Sequence, residues 1–238
     1  MSLIDLTERT EAPPPIEGDT RERLLEAGLR LFAAHGYDGV STRHLASVAE
    51  VNIAAIGYHF GGKKELYRAV VGHQVTETAP LFGPVAVRVA AGIEKCGTDR
   101  RALAELATSF VGKLIEAMTG NERMQIRAAL IMREYAHPTD AFEIIFKGRI
   151  EPLHKTVTAL VAAALDRPVD DPSTVVRAHA VIGQILIFML ARIVLMARLD
   201  WKTYGPEELQ VVKTEVTQSV LMSLNLPFAQ PIAQPDGE

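Results

Sequence analysis

The sequence is poor in cysteine and in aromatic residues. Its single cysteine, Cys96, excludes a disulfide within the chain. No charged leader with an apolar stretch and a cleavage site opens the sequence, so we expect a protein of the reducing cytoplasm. Aromatic residues account for 6% of the 238 residues and apolar residues for 48%. Mostly aliphatic side chains can therefore fill one large core or two modest ones.

Sequence motifs typical of catalysis are also absent. The patterns H-E-x-x-H, C-x-x-C and G-x-S-x-G do not occur. The seven histidines are scattered along the chain without the spacing of metal ligands. We therefore expect a protein that is not an enzyme and that binds no metal ion and no cofactor.

A long apolar run without polar interruption is missing as well. The most apolar segment, residues 175–199, reads VVRAHAVIGQILIFMLARIVLMARL and is interrupted by His179, Gln184 and Arg192. No run of 18 apolar residues remains, which argues against a membrane span. A helix that is apolar nearly all round is typical of burial on several sides, and a second subunit would supply the missing cover.

The net charge of −4 is distributed unevenly along the chain. Residues 1–19 carry one basic residue against five acids, whereas residues 20–75 carry seven against five. The remaining residues carry 17 basic residues against 19 acids. Because local charge governs electrostatic association more than total charge does, the net-positive segment favours an anionic partner.

Helical periodicity dominates the N-terminal part. Apolar residues recurring near the 3.6-residue period predict a first helix over about 20–35, ended by Gly36. Two short helices follow, capped by Ser41 or Thr42 and by Asn52. Two short helices joined by about four residues, with a longer helix on each side, make a helix-turn-helix pattern.

Beyond Pro80 the sequence continues as helix after helix, without the alternation of β-strands. The predicted fold class is therefore all-α. The expected helices begin at Asp99, Asn121, Thr139, Pro172 and Gly205, with a kink at Pro152 and an end near Arg198 for the helix that Pro172 opens.

One stretch, GYHFGGKK at residues 57–64, fits the first seven positions of the phosphate-binding pattern G-x-x-x-x-G-K-[ST]. Lys64 stands at the eighth position, where that loop needs a hydroxyl for magnesium. The flanking segments also have helical periodicity, whereas the loop requires a preceding buried strand. A nucleotide-binding loop is therefore not expected.

The same stretch also belongs to a longer pattern, which it matches better. Residues 20–70 contain GYDG after the first helix, STRHLA in the second and YHFxxKxxL at the end of the third. In this order and spacing they resemble the N-terminal DNA-binding domain of the TetR family of transcriptional regulators. The resemblance implies phosphate contacts from Thr42, Arg43, Tyr58, His59 and Lys63. It implies base-facing positions at Asn52, Ile53, Ala54, Ala55 and Gly57.

Two positions depart from the usual pattern of that family. Gly57 stands where many relatives have an aromatic residue, and Glu50 replaces a common glycine of the turn. The base-facing surface consequently offers methyl groups and bare backbone, with one amide from Asn52. We expect thymine methyl groups and DNA shape to supply much of the discrimination between bases.

The C-terminal part resembles the CecR-like (CerR) subgroup of the same family, through REYAHPTDAFEIIF and GQILIFMLARIVLMARLDWKTYGPEEL. This resemblance implies an effector cavity, in which apolar walls surround a few polar anchors. Each candidate also has a simpler role, as plain core for the apolar residues and as an internal ion pair or solvated edge for the polar ones. The candidates are Phe110, Met118, Met124, Arg127, Arg133, His154, Gln184 and Phe188.

The sequence thus predicts a homodimeric, ligand-responsive regulator, most simply a repressor, that binds palindromic operator DNA and is released by a small molecule. Helices near 173–198 and 206–224 would form a four-helix interface between subunits. The alternative is a helical adaptor or small-molecule carrier that binds no DNA. The predicted domains are an arm at 1–18, a DNA-binding domain at 19–72, an effector-binding and dimerisation domain at 73–226 and a tail at 227–238.

Overall fold

The structure, a computed structural model, describes residues 17–119 and 122–228. Over these residues the chain forms eleven α-helices and one π-helical segment, and no β-strand, which confirms the all-α prediction. Most of the predicted arm and tail, and the predicted cap Asn121, lie outside the described residues. The helices are α1 (Thr20–His35), α2 (Thr42–Val48), α3 (Ala54–Phe60), α4 (Lys63–Cys96), α5 (Arg100–Thr119), α6 (Glu122–Ala136), α7 (Phe142–Ile145), the π segment (Phe146–Ile150), α8 (Glu151–Leu165), α9 (Pro172–Leu190), α10 (Arg192–Leu199) and α11 (Pro206–Ser223).

The first helix begins and ends as its sequence predicts. The Asp19 side chain accepts a hydrogen bond from the Glu22 N–H at 2.8 Å, and the Glu22 carboxylate accepts one from the Asp19 N–H at 3.1 Å. This reciprocal capping box satisfies two backbone donors that the helix itself cannot pair. Gly36 ends the helix at φ 73°, in the region of positive φ that favours glycine.

The chain divides into two compact units, and the first combines distant segments. This head unit contains residues 17–79 and 122–149, so α6 and α7 belong with the helix-turn-helix, and α6 packs on α1. The sequence predicts that the DNA-binding domain ends at residue 72 and that the effector-binding domain begins there. This division concerns function, and it stays a prediction. The core of the helix-turn-helix consists of fully buried Leu24, Phe32, Leu45, Ile56, Leu66 and Val70.

The turn between α2 and α3 has a residue with positive φ. Glu50 lies at φ 53°, and the Val51 N–H donates to the Ala46 carbonyl at 2.9 Å, which is the hydrogen bond of a Schellman motif. Glycine normally occupies the left-handed position in this motif because it has no Cβ. The departure noted in the sequence therefore places a strained glutamate in the turn.

We expect Glu50→Gly to stabilise the protein. A non-glycine residue in the left-handed conformation carries strain of about 1 kcal/mol, and glycine removes that strain. The melting temperature followed by far-UV circular dichroism should rise by about 2–4 °C. Glu50→Gln is the matched control: it removes the charge, keeps the Cβ and should leave the melting temperature unchanged. A gain in Glu50→Gln equal to that in Glu50→Gly would assign the effect to charge and contradict the strain.

Helix α4 passes through two prolines. It runs for 34 residues and contains both Pro80 and Pro84 in its interior, where each proline removes one backbone hydrogen bond. The boundary between the two units falls between Ala79 and Pro80. Pro80 therefore marks a change of unit within a helix and not the end of a helix.

The second unit, the body unit, contains residues 80–119 and 150–228. Helices α5, α8, α9 and α11 pack around one aliphatic core. Asp99 caps α5 through its Oδ1, which accepts hydrogen bonds from the N–H groups of Arg101 and Ala102. The most completely buried large side chains of this core include Leu103, Ile115, Leu160 and Ile185.

The long helix predicted from Thr139 changes type along its length. The chain forms the four-residue α7, then the π segment, and α8 begins only at Glu151. Pro152 stands in the first turn of α8, directly after the π segment, and Ile150 before it keeps helical dihedral angles, with φ −72° and ψ −52°. The predicted kink is thus replaced by a change of helix type, and π turns of this kind are rare and often functional.

The helix predicted to run to Arg198 is also interrupted. Helix α9 ends at Leu190, and Ala191 leaves helical geometry at φ −107° and ψ 25°. The Tyr204 hydroxyl donates to the Phe188 carbonyl at 2.8 Å. In a continuous helix that carbonyl would accept from the N–H of Arg192, four residues later. The tyrosine from the loop satisfies it instead, so the break leaves no unpaired acceptor there.

Within the described residues, α9 is the one helix whose length and composition would allow it to cross a membrane. This is weak evidence for a span, because core helices of other proteins meet the same criterion. In its most apolar window 28% of the residues are buried within the chain. The remaining apolar surface therefore needs another explanation.

Candidate nucleic-acid interface

Helix α3 turns one side inward and exposes the other. Ile56 is 2% exposed and anchors the helix in the core, whereas Ile53 is 47% and Tyr58 86% exposed. Ala54 and Gly57 are also exposed, and Ala55 is half-buried. The base-facing positions implied by the family resemblance thus form an outward surface of methyl groups and bare backbone. Such a short helix can enter the major groove of B-DNA.

Asn52 has a structural task in addition to its predicted contact. Its Oδ1 accepts a hydrogen bond from the Ala54 N–H at 2.8 Å, so it caps α3 as the sequence predicts. One lone pair of the side-chain oxygen is therefore used within the helix, and a second remains. The amide N–H groups can donate to acceptors such as phosphate oxygens or purine N7.

The predicted phosphate contacts lie around α3. Thr42 and Arg43 open α2, where the side chain of Ser41 caps the helix by accepting from the His44 N–H at 3.1 Å. Arg43 is exposed and Thr42 half-buried. At the other end of the motif, the Lys63 ammonium lies 4.3 Å from the centroid of the Tyr37 ring, a cation–π contact that restricts its position.

Tyr58 and His59 occupy the end of α3. Both are exposed, and their rings meet edge to face with centroids 5.0 Å apart. Each offers a polar hydrogen at the surface, which suits a phosphate oxygen. These two residues, together with Lys63, remain the predicted contacts at this end of the motif.

Gly61 and Gly62, the adjacent glycines of GYHFGGKK, form a turn between helices. Gly61 has φ 87° and donates to the Gly57 carbonyl at 2.9 Å, and Gly62 has φ 151°. Helix α3 therefore ends and α4 begins within this stretch. Gly61 and Gly62 serve backbone geometry, and the helices on both sides are not those of a nucleotide-binding loop.

Two exposed residues of this surface were not found from the sequence. Arg21 at the start of α1 lies with its guanidinium 5.4 Å from the centroid of the Phe60 ring, which places it beside the end of α3. His44 is exposed in the first turn of α2, next to Arg43. The helical periodicity of α2 could have indicated that His44 is exposed beside Arg43. The approach of Arg21 to Phe60 depends on the tertiary fold and could not be found in this way.

A buried polar network joins α4 to the end of α6 within the head unit. The Tyr67 hydroxyl donates to Glu134, which is 1% exposed. Glu134 also accepts from the N–H of Thr139 at 3.0 Å and from its hydroxyl at 2.9 Å. Burial and the adjacent carboxylate raise the pKa of Tyr67, so its hydroxyl keeps the proton that it donates.

Arg133, predicted as an effector contact, binds the C-terminal end of α1. Its Nε donates to the Ala33 carbonyl at 2.8 Å, and a second nitrogen donates to the Ala34 carbonyl. The last carbonyls of a helix have no intrahelical partner and carry its negative dipole, so an arginine stabilises them. Arg133 therefore links α6 to the helix-turn-helix.

Arg127 contacts α4 from the same helix. Its Nε donates to Gln74 at 2.7 Å, and its terminal nitrogen lies 3.7 Å from Glu77. Burial and then the nearby Arg123 lower the pKa of Arg127. Burial and then Arg127 lower the pKa of Arg149, in the π segment, to about 9. The approach of Arg149 to Arg127 depends on the tertiary fold and is not visible in the sequence.

The remaining effector candidates do not come together. Met124 is half-buried in the head unit, and the side chain of Met118 lies outside the described part. In the body unit Phe110 is buried in the core and Phe188 packs against it. Two open depressions of about 530 and 650 Å³ in that unit are lined by other residues. The effector assignment stays a prediction.

Two polar candidates of the body unit are engaged in pairs. Gln184 of α9 donates to Ser223 at 2.9 Å and accepts from Ser219 at 3.2 Å, which fixes α9 against α11. His154 of α8 stacks on His179 of α9, with ring nitrogens 3.0 Å apart. Burial and then His179 lower the pKa of His154, which favours the neutral form of the His154 ring.

An apolar stripe runs along the exposed side of α9. The residues Val176, Ala180, Gly183, Ile187 and Leu190 follow one another at spacings of four, three, four and three, and all five are exposed. This α9 stripe has the spacing with which one helix packs lengthwise against another. On α11, Val211 and Met222 are similarly exposed at 53% and 67%. Helices α9 and α11 are in contact, so these surfaces belong to adjacent helices.

Comparisons with known proteins agree with this geometry. Residues 24–70 match the family described as bacterial regulatory proteins, tetR family, and residues 103–225 match the C-terminal domain of the HTH-type transcriptional dual regulator CecR. CecR of Shigella flexneri is 30% identical over 203 residues, which cover 85% of this chain and 90% of that protein. The transcriptional repressor AcnR of Corynebacterium efficiens is 34% identical over 61 residues, which cover 26% of this chain and 32% of that protein.

The fold is shared with a solved regulator complex. The crystal structure of AibR in complex with isovaleryl coenzyme A and operator DNA has a TM-score of 0.55 and 18% identity, covering 86% of this chain and 97% of that one. CecR and AcnR are regulators of transcription and not enzymes, which confirms the expectation of a protein without catalytic activity. With its helix-turn-helix and its CecR-type C-terminal domain, the chain belongs to the TetR family of DNA-binding transcriptional regulators.

Proposed function

We propose that this regulator is a ligand-responsive repressor that binds a palindromic operator as a homodimer and leaves it when a small molecule binds. Residues 19–72 would contact DNA, and residues 73–226 would bind the effector and dimerise. The observation that carries the proposal is the outward surface of α3, which is exposed along Ile53, Ala54 and Gly57 while Ile56 holds the helix in the core.

Contacts to DNA would divide into two kinds. Thr42 and Arg43 at the start of α2, and Tyr58, His59 and Lys63 after α3, would bind phosphates and set the position of the protein. Asn52, Ile53, Ala54, Ala55 and Gly57 would face the bases. Methyl groups and bare backbone discriminate bases chiefly through the thymine methyl and through groove shape.

Dimerisation would use the α9 stripe together with the exposed face of α11. Packing against a second copy would cover Val176, Ile187 and Met222, which are 68%, 50% and 67% exposed in one subunit. A second subunit packed on this surface would also explain the apolar composition of α9 without a membrane span. A twofold dimer carries two helix-turn-helix motifs and therefore suits a palindrome. The protein would act in the cytoplasm, where bacterial DNA lies.

The effector would act through α6. Arg133 binds the end of α1, and Glu134 binds Tyr67 at the start of α4, so a shift of α6 moves the elements that flank the helix-turn-helix. AibR, of the same fold, holds a coenzyme A thioester and operator DNA. Acidic ligands are the first to screen, since Arg123, Arg127 and Arg149 concentrate positive charge on α6 and the π segment. The switch is limited by the difference in effector affinity between the two states.

The regulatory outcome depends on where the operator lies. A bound dimer that overlaps the promoter excludes the polymerase and represses, and AcnR carries the name of a repressor. CecR, which matches over most of the chain, carries the name of a dual regulator. Repression at an overlapping operator is the outcome we propose here, and a reporter gene with that arrangement tests it directly.

The test of DNA binding is its salt dependence on an operator recovered from random DNA. We expect the logarithm of the association constant to fall linearly with the logarithm of salt concentration. Arg43→Ala should reduce the slope by about 1.8, because a dimer then loses two phosphate contacts. Arg101→Ala on α5, an arginine whose side chain is 83% exposed, is the matched control and should leave the slope unchanged.

An adaptor or small-molecule carrier without DNA binding is the alternative. It predicts no retention on any duplex and no salt slope, while effector binding would persist. Equal slopes for Arg43→Ala and the wild type would remove Arg43 from the interface. An absence of binding to every duplex would refute the proposed function as a whole.

A further inference from the structure

We propose that Gly57 sets how closely α3 approaches the floor of the major groove and forms the recess that receives a pyrimidine C5-methyl group. This inference rests on the proposed function and adds a residue that determines specificity. It concerns one position for which neither the backbone nor the core of this chain requires a glycine.

The backbone at Gly57 is ordinary. Gly61 and Gly62 have φ of 87° and 151°, where a side chain is strained, but Gly57 is not among the glycines with positive φ. It lies in the middle of α3, and its carbonyl accepts the helical hydrogen bond from the Gly61 N–H. Any residue could adopt this conformation.

Packing does not require glycine here either. A Cβ placed on Gly57 would meet nothing within 4 Å, whereas one on Gly28 would meet the Val70 side chain at 2.6 Å. Gly28 is thus needed for close packing of α1 against α4, and Gly57 is not needed by the described chain. A glycine inside a helix is less favourable than alanine, so this sequence keeps a residue that weakens its own helix.

Nothing in the described part of the chain uses this glycine, and we place its benefit at the contact with DNA. Ile53 and Ala54 stand one turn before Gly57 on the exposed side of α3, so the missing side chain leaves a recess beside two apolar residues. A methyl group at this position would extend about 1.5 Å from the Cα atom. The duplex can come closer to α3 by about that distance.

The chemistry of the recess indicates what fills it. Its walls are methyl groups and backbone, without a side-chain donor or acceptor at Gly57 itself. The thymine C5-methyl is the apolar group that projects into the major groove, and apolar contact with it is a known means of recognition. The same pocket would accept 5-methylcytosine and would leave a gap opposite uracil.

The experiment combines a larger side chain with a smaller base. On the selected operator, Gly57→Ala should bind about tenfold or more weakly than the wild type. A scan that replaces each thymine of the half-site by uracil should find one position that restores most of the affinity of Gly57→Ala and weakens the wild type severalfold. This reciprocal change distinguishes steric contact from loss of folding.

Stability supplies the second readout. Gly57→Ala should raise the melting temperature by about 2 °C, since alanine favours helix. Gly112→Ala in α5 is the matched control: a Cβ there also meets nothing within 4 Å, its φ is ordinary, and it should gain stability without losing operator affinity. Wild-type affinity in Gly57→Ala, or a loss that uracil restores at no position, overturns the inference. A wild-type protein that binds no duplex overturns the proposed function as well.

Discussion

Val176→Asp and Ile187→Asp should each convert the protein from a dimer to a monomer and weaken operator binding by more than 100-fold. Both side chains belong to the α9 stripe, and both are exposed in one subunit. A carboxylate buried between two copies of α9 would lose its hydration and face its own symmetry mate, which costs several kcal/mol. Because the two half-sites bind together, the loss of the dimer removes the gain from bivalent binding, typically 100-fold or more.

Sedimentation velocity and operator titration measure the two effects. Val87→Asp on α4 is the matched control, since Val87 is 71% exposed and lies on neither α9 nor α11. It should remain dimeric and bind the operator as the wild type does. If the Val176 and Ile187 variants stay dimeric with full affinity, subunits associate through another surface.

Glu134→Ala should destabilise the protein by about 3 kcal/mol, because it leaves the Tyr67 hydroxyl and the Thr139 donors without their buried acceptor. For a chain of this size the melting temperature should fall by about 6–12 °C. The network joins α4 to α6, so the variant should also bind the operator less tightly at temperatures below its transition. Calorimetry measures the first effect and titration the second.

Two variants separate the network from general effects of mutation. Tyr67→Phe removes one hydrogen bond and should cost about 1 kcal/mol. Glu105→Ala on α5 removes a glutamate whose side chain is 74% exposed and should change the melting temperature by less than about 2 °C. A Glu134→Ala protein as stable as Glu105→Ala would contradict the role of the network.

Local signals predicted most of the helix-turn-helix. The caps at Asp19, Ser41 and Asn52 and the glycine stop at Gly36 each depend on residues within a few positions, so they are visible in the sequence. The same holds for the outward position of Ala54. The departure at Glu50 was visible as well, although only the structure shows its positive φ.

The errors occur where local rules are overridden. Proline disfavours helix interiors, yet α4 continues through Pro80 and Pro84. The break at Ala191 depends on Tyr204, which lies in a loop more than ten residues later. The grouping of α6 with the helix-turn-helix arises from contacts about 100 residues apart, such as Arg133 with Ala33. No periodicity along the chain carries that information.

The same difference between local signals and long-range contacts applies to the candidate sites. The predicted DNA contacts lie close together in sequence, and they surround one short helix. The predicted effector contacts are polar residues in apolar helices together with apolar residues that could line a cavity, and the structure gives the polar residues Arg133, Gln184 and His154 other partners. A sequence pattern identifies such residues as unusual but does not say which partner each one finds.

Selection of bound duplexes from a random pool by the full-length protein tests the central claim most directly. The account predicts a palindrome of two half-sites separated by about one helical repeat of DNA, with a thymine that contacts α3 in each half. Recovery of no enriched sequence, or of a single asymmetric site bound equally well by Val176→Asp, would contradict it.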